Sequence, residues 1–161
     1  MVNVETLLYI VENGKVLLIK KKRGLGAGLY NGIGGKVEEG EVPLQAVIRE
    51  CIEEIGAEPL EIEWVGLLEF YNDGVLYGFV HVFKARGLKG EPRESEEAAP
   101  MWFEIDKIPY DEMWEDDKFW LPLVLEEGKK VYGRFYFLNN WSRLTKSEIY
   151  TIESEKIITS S

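Results

Sequence analysis

Apolar positions fall into short blocks separated by stretches rich in Gly, Asn and Asp, which is the pattern of strands joined by turns. The first block runs from about Val4 to Val11 and is followed by "ENGK", then by "VLLIKKK" from Val16. An Asn-Gly pair between two apolar runs is a strong hairpin signal. Further strands are expected near Ile62 to Tyr71 and Val75 to Ala85, joined by "NDG", then at "MWFEI" and at "KKVYGRFYFL". One long segment changes period. Leu44, Val47, Ile48, Cys51 and Ile55 recur at helical spacing, with Pro43 suited to the first turn and Gly56 to the C-terminal cap. "DDKFWLPLVLEEG" reads as a second helix, in which Asp116 is well placed for an N-cap. From Asn140 onward, helix, strand and loose tail all remain open. We therefore expect a main domain over residues 1–140 and a C-terminal extension over 141–161. Many strands with one long early helix imply an α+β fold, a mixed sheet between helices.

The stretch "RGLGAGLYNGIGG" holds six glycines in 13 residues. It is expected to be neither helix nor strand but a loop whose backbone can approach a ligand. Its interleaved Leu25, Leu29, Tyr30 and Ile33 argue that it is packed.

Composition narrows the setting. The chain has 161 residues, 45% hydrophobic and 30% charged, with a net charge of -10. That size suits one domain with a real core. An acidic surface disfavours nucleic-acid polymers and membranes, but not a small polyanion screened by divalent cations. No apolar run reaches the roughly 20 residues that span a bilayer. The start lacks a basic region followed by a cleavable apolar stretch, and the single Cys51 suits a reducing cytoplasm. A cytoplasmic protein is expected, a monomer or else a dimer.

The chemistry concentrates in "GKVEEGEVPLQAVIRECIEEIGA", where six of 23 residues are Glu. On a helix turning about 100° per residue, Glu50, Glu53 and Glu54 share an arc of roughly 100° beside the apolar stripe. Like charges so crowded call for a cation, and hard ions such as Mg²⁺ or Mn²⁺ take carboxylate oxygens together with substrate phosphates. Arg49 can pair with Glu41 or orient a catalytic Glu. A solvated acidic face is the alternative.

Gly35, five residues, Glu41, seven residues, Arg49-Glu50, two residues, Glu53-Glu54, one residue, Gly56 and then a small apolar residue: this resembles a complete Nudix box. The resemblance implies the Nudix fold, an α/β/α sandwich around a mixed sheet. It implies metal-dependent hydrolysis of a nucleoside diphosphate linked to another group, with Mg²⁺ as cofactor and Mn²⁺ as a substitute. It also implies that Glu50, Glu53 and Glu54 ligate the metal, with the Gly34 carbonyl as a further ligand and Glu53 as general base. Over most of residues 4–138 the chain is similar to the oxidised-purine nucleoside triphosphatases, which act on 8-oxo-dGTP and 2-hydroxy-dATP. Carried over from that likeness, Asn31 would bond the base edge, Trp114 would stack on it, and Asp116 and Asp117 would read its polar atoms. Lys21 would lie near the pocket or the phosphates, Leu25 in the pocket wall and Glu97 near the metals. Leu25 stands where well-known relatives carry Phe, Tyr30 where they carry Trp, and Glu115 where they carry Pro. The expected activity is release of pyrophosphate from oxidised purine nucleoside triphosphates. The alternatives are another nucleoside diphosphate derivative as substrate, or a nucleotide sensor that does not cleave.

Overall fold

The computed structural model describes residues 2–152. In chain order the strands are β1 (Asn3–Glu12), β2 (Lys15–Lys21), β3 (Tyr30–Asn31) and β4 (Ile33–Lys36). The helix α1 (Pro43–Ile55) follows, then β5 (Glu58–Pro59), β6 (Ile62–Asn72), β7 (Val75–Ala85), β8 (Leu88–Lys89) and β9 (Ala98–Glu104). After two single-turn 3-10 segments come α2 (Asp117–Leu125), β10 (Lys130–Leu138) and β11 (Arg143–Ile152). The β1–β2 and β6–β7 hairpins turn through Asn13-Gly14 and Asp73-Gly74, both pairs left-handed, as a two-residue turn between right-twisted strands requires.

The main sheet runs β11-β10-β6-β7-β1-β2-β3, with β4 also on β1 and β9 on β2. Two of its pairings are parallel, β1 with β7 and β6 with β10, so the sheet is mixed. Its two faces are covered by different helices. Leu8, Ile10, Leu17 and Ile19 meet Val47, Cys51 and Ile55 of α1. Tyr9, Val16 and Leu18 meet Trp120, Leu121 and Val124 of α2. This burial on both sides is why "VLLI" is apolar without alternation. The result is the expected α/β/α sandwich.

The structure departs from the sequence reading at two places and decides between the alternatives left open at a third. Only the first half of the glycine-rich stretch is loop; the second half forms β3 and β4. Gly24, Gly26 and Gly28 have positive φ and bend the chain. Gly32, Gly34 and Gly35 are glycines for a different reason, close approach. A Cβ on Gly34 would land on the Thr6 carbonyl, and one on Gly35 would lie 2.6 Å from the Glu50 carboxyl carbon. Leu44, assigned to the apolar stripe, is 45% exposed because the core side of α1's first turn is taken by Ala46 and Val47. Residues 143–152 are neither helix nor loose tail but an edge strand on β10; residues 153–161 lie outside the described part.

β1 changes partner along its length. Its first half pairs with β4 through Glu5 to Leu8, and its second half with β2 through Ile10 to Glu12. Gly34→Ala should therefore unseat β4 and cost about 3 kcal/mol or more, as overpacking against backbone does. Gly14→Ala, with open space around it, should cost only about 1 kcal/mol for its left-handed φ. Urea unfolding of both variants checks this, and equal losses would contradict it.

Candidate active site

α1 carries the carboxylates and β4 carries the backbone that faces them. Pro43 starts the helix, the Gln45 side chain accepts the Val42 N–H (2.9 Å), and Gly56 closes it with φ 68. Arg49 is the centre of the cluster. Its Nε and Nη2 donate to the two oxygens of Glu41 (2.7 and 2.9 Å), its Nη1 to Glu50 (2.7 Å), and its Nη2 also to the Lys36 carbonyl (3.0 Å). That forked pair draws the Glu41 carboxyl down to about 2.

The three carboxylates of the triplet differ in surroundings. The Glu53 side chain is 60% exposed and touches Arg49 only at 3.4 Å, whereas that of Glu50 is 17% exposed. Glu54 is buried beside Gly34, whose N–H donates to it at 3.2 Å. Burial, then the neighbouring Glu50, pushes the Glu54 carboxyl up to about 8. Among the described residues no three acidic side chains converge closely enough to cage an ion. Glu50 and Glu54 interact directly, whereas Glu53 is largely exposed and reaches only Arg49. The set nevertheless fits a hard divalent cation. It is all oxygen, it includes one nearly buried carboxylate, and side-chain-free Gly34 and Gly35 leave the Glu50 and Glu54 carboxyls against open backbone. Glu97 stands apart from the triplet, ion-paired with Arg23 through Nε at 3.0 Å. It is still close enough to contribute to the raised Glu54.

On the other side of β4 lies a cavity of about 400 Å³. Lys21, Leu25, Asn31, Trp114, Asp116 and Asp117 all line it, and it reaches Gly35 and Lys36 beside the carboxylate helix. Lys21 Nζ donates to the Leu25 carbonyl (2.8 Å), and Asn31 Oδ1 accepts the Gly32 N–H (2.8 Å). The Trp114 indole packs against the glycine loop; a Cβ on Gly26 would sit 3.1 Å from it. Asp116 occupies the N-cap position of α2 but does not cap it. Its Oδ2 instead accepts the Trp120 indole N–H at 2.8 Å.

Asp116 and Asp117 are each only 2% exposed. Burial raises both carboxyls, and their mutual repulsion raises Asp117 further. Asp117 Oδ2 is buried without a hydrogen-bond partner, as is the Tyr9 hydroxyl nearby. An unpartnered buried carboxyl facing a cavity is a group that a ligand can satisfy.

Phe70, Tyr77, Phe137, Trp141 and Lys36 also line it, with Glu5, Leu7 and Val80, and the sequence reading missed them. The strand aromatics Phe70, Tyr77 and Phe137 gave no usable signal, because alternation shows which face a residue lies on and not whether that face is core or cavity. Trp141 lay in the unassigned tail. His81, read as a strand residue with a structural role, accepts the Trp64 indole N–H at 3.1 Å.

The chain is similar to several known proteins over most of its length. The NUDIX domain family matches residues 3–124. An oxidized purine nucleoside triphosphate hydrolase of Danio rerio is 47% identical over 134 residues, covering 82% of this chain and 85% of that protein. Its counterpart from Mus musculus is 44% identical over the same shares. Among solved structures, a mutator MutT protein from Bacillus halodurans superposes with a TM-score of 0.81 at 27% identity, covering 92% of this chain and 97% of its own.

The buried acid pair has a measurable consequence. Asp117 has a folded pKa above its unfolded one. Its favourable contribution is full below the unfolded value and is lost as pH rises through the folded value. Asp117→Asn should escape that loss. Its melting temperature should match wild type near pH 4 and exceed it by a growing margin towards pH 8; a difference independent of pH would rule out the assigned burial.

Proposed function

Because the chain belongs to the NUDIX domain family, we propose that it hydrolyses oxidised purine nucleoside triphosphates to the monophosphate and pyrophosphate, clearing damaged nucleotides from the pool. The observation that carries this reading is the paired, buried Asp116 and Asp117 in an aromatic cavity that runs up to the acidic helix. A base stacks on Trp114, and its polar edge meets Asn31 and the acid pair. With one proton held between them near neutral pH, one Asp donates and the other accepts. Moving that proton lets the same pocket take purines oxidised at different positions.

Lys21 and Lys36 bring positive charge to the stretch between cavity and helix, where a triphosphate tail would run. Glu50, Glu53 and Glu54, with the Gly34 carbonyl, are the ligands available for the divalent ion that Nudix chemistry uses, and Glu97 stands near enough to assist. Mg²⁺ is our assignment for that ion, with Mn²⁺ as a substitute, and the cytoplasm for the compartment. Such an ion neutralises phosphate oxygens and orients water for in-line attack. Arg49 positions Glu50 and keeps the crowded carboxylates together. Glu53, the most exposed of the triplet and the least engaged, is our candidate for the general base that takes the proton of the attacking water.

Incubation with 8-oxo-dGTP, 2-hydroxy-dATP and the four ordinary deoxynucleotides should give pyrophosphate, not orthophosphate. The kcat/KM should be highest for the oxidised purines. Chelation should abolish turnover and Mg²⁺ restore it. Glu53→Gln should lower kcat roughly 100-fold or more with little change in KM. Equal kcat/KM across the panel would overturn the substrate reading, and metal-independent turnover would overturn the chemistry.

A further inference from the structure

Three consecutive residues between β10 and β11 have left-handed backbone: Asn139, Asn140 and Trp141, with φ of 54, 53 and 69. Asn adopts this conformation readily, but a bulky side chain such as Trp seldom does. A strained backbone persists only where its surroundings over-determine it, and such places cluster at functional sites. Here the β6–β7 turn is the brace. Asn72 Oδ1 accepts the Trp141 N–H at 3.1 Å, and Asp73 Oδ1 accepts the Asn139 N–H at 3.0 Å. The Asp73 N–H in turn donates to the Phe137 carbonyl at 2.9 Å.

Two turns are thus locked together, and the lock delivers an indole to the cavity wall. The Trp141 ring stands edge-on to Tyr77 at 5.1 Å and 87°, tilted to Phe137 at 5.4 Å, and at 78° to Trp114 with 6.4 Å between centroids. A base lying parallel on Trp114 therefore meets Trp141 nearly at right angles. That is the edge-to-face geometry in which the positive rim of one ring faces the negative face of another.

We propose that Trp141 is a specificity-determining contact for the substrate base, a second aromatic wall set across the first. It rests on the reading of the cavity as a base pocket. The two fused rings of a purine, held at the acid pair by one edge, extend to this wall. The single ring of a pyrimidine leaves it out of contact. Trp141 thereby favours the larger bases, while the acid pair reads their oxidation.

The test is steady-state kinetics with an oxidised purine triphosphate and with dCTP, for wild type, Trp141→Ala, Trp141→Phe and Asn72→Ala. Trp141→Ala should raise the purine KM roughly twofold to tenfold, the range of one aromatic pair, with a smaller change in kcat. Its KM for dCTP should hardly move, so the purine preference shrinks. Trp141→Phe should recover most of the loss, and Asn72→Ala should fall between. A folded Trp141→Ala with an unchanged purine KM, or with equal losses on both substrates, would overturn the proposal. Should Trp141→Ala show no thermal transition, Trp141→Leu carries the same expectation and Asn72→Ala the intermediate one. Calorimetric binding of 8-oxo-dGMP separates this inference from the hydrolase reading. Wild type that binds 8-oxo-dGMP but cleaves no nucleotide removes the reaction and leaves Trp141 to be judged by the binding of its variants. Wild type that cleaves 8-oxo-dGTP while Trp141→Ala behaves identically removes Trp141 alone.

Discussion

The site exists because two backbones lie closer than side chains permit. β4 lies against the first half of β1, and Gly34 leaves no volume between its own Cα and the Thr6 carbonyl. That approach lets β1 exchange β2 for β4 midway, so the sheet divides at this point. On one side of the division stands α1 with its carboxylates; on the other the cavity opens towards α2. The glycines are thus not slack in the chain. They let a polar helix and an aromatic pocket share one short strand as their common wall.

Crowded negative charge is the second constraint, and Arg49 meets it. A guanidinium offers five donors in a rigid plane, and here they reach Glu41, Glu50, Glu53 and the Lys36 carbonyl. The loop before α1, the helix itself and the end of β4 are pinned by one side chain. Glu54 is handled differently: its raised pKa keeps it neutral for much of the accessible range in the absence of a cation. Burial that would be unfavourable for a fixed charge is tolerable for a group that can take a proton.

The hairpins, the helix and the polarity of its two sides were legible from residue types alone. Asn-Gly and Asp-Gly name their turns, and a 3.6-residue period beside acidic positions names a helix with a polar flank. The carboxylate triplet could be read because its partners are local, all within one helical turn. The cavity could be read only through family likeness, since its walls come from β1 to β4, the glycine loop, β6, β7, the start of α2, β10 and the β10–β11 turn. No short-range pattern encodes a meeting of that kind. The glycine segment misled in its second half because composition cannot distinguish a glycine needed for positive φ from one needed for close packing. Trp141 was hidden more thoroughly: its conformation is fixed by Asn72 and Asp73, nearly 70 residues earlier.

The parallel pairing of β1 with β7 carries a consequence for synthesis. Asn3 pairs in register with Gly78, so on the ribosome β1 has no permanent neighbour on that side until some 75 residues later. At the usual 5–20 residues per second, that delay is on the order of 4 to 15 s. During it the nascent chain can form the β1–β2 hairpin, the pairings of β3 and β4 with it, and its contacts with α1. The half that carries the acidic helix α1 is thus laid down first, and the more aromatic half is assembled onto its open edge.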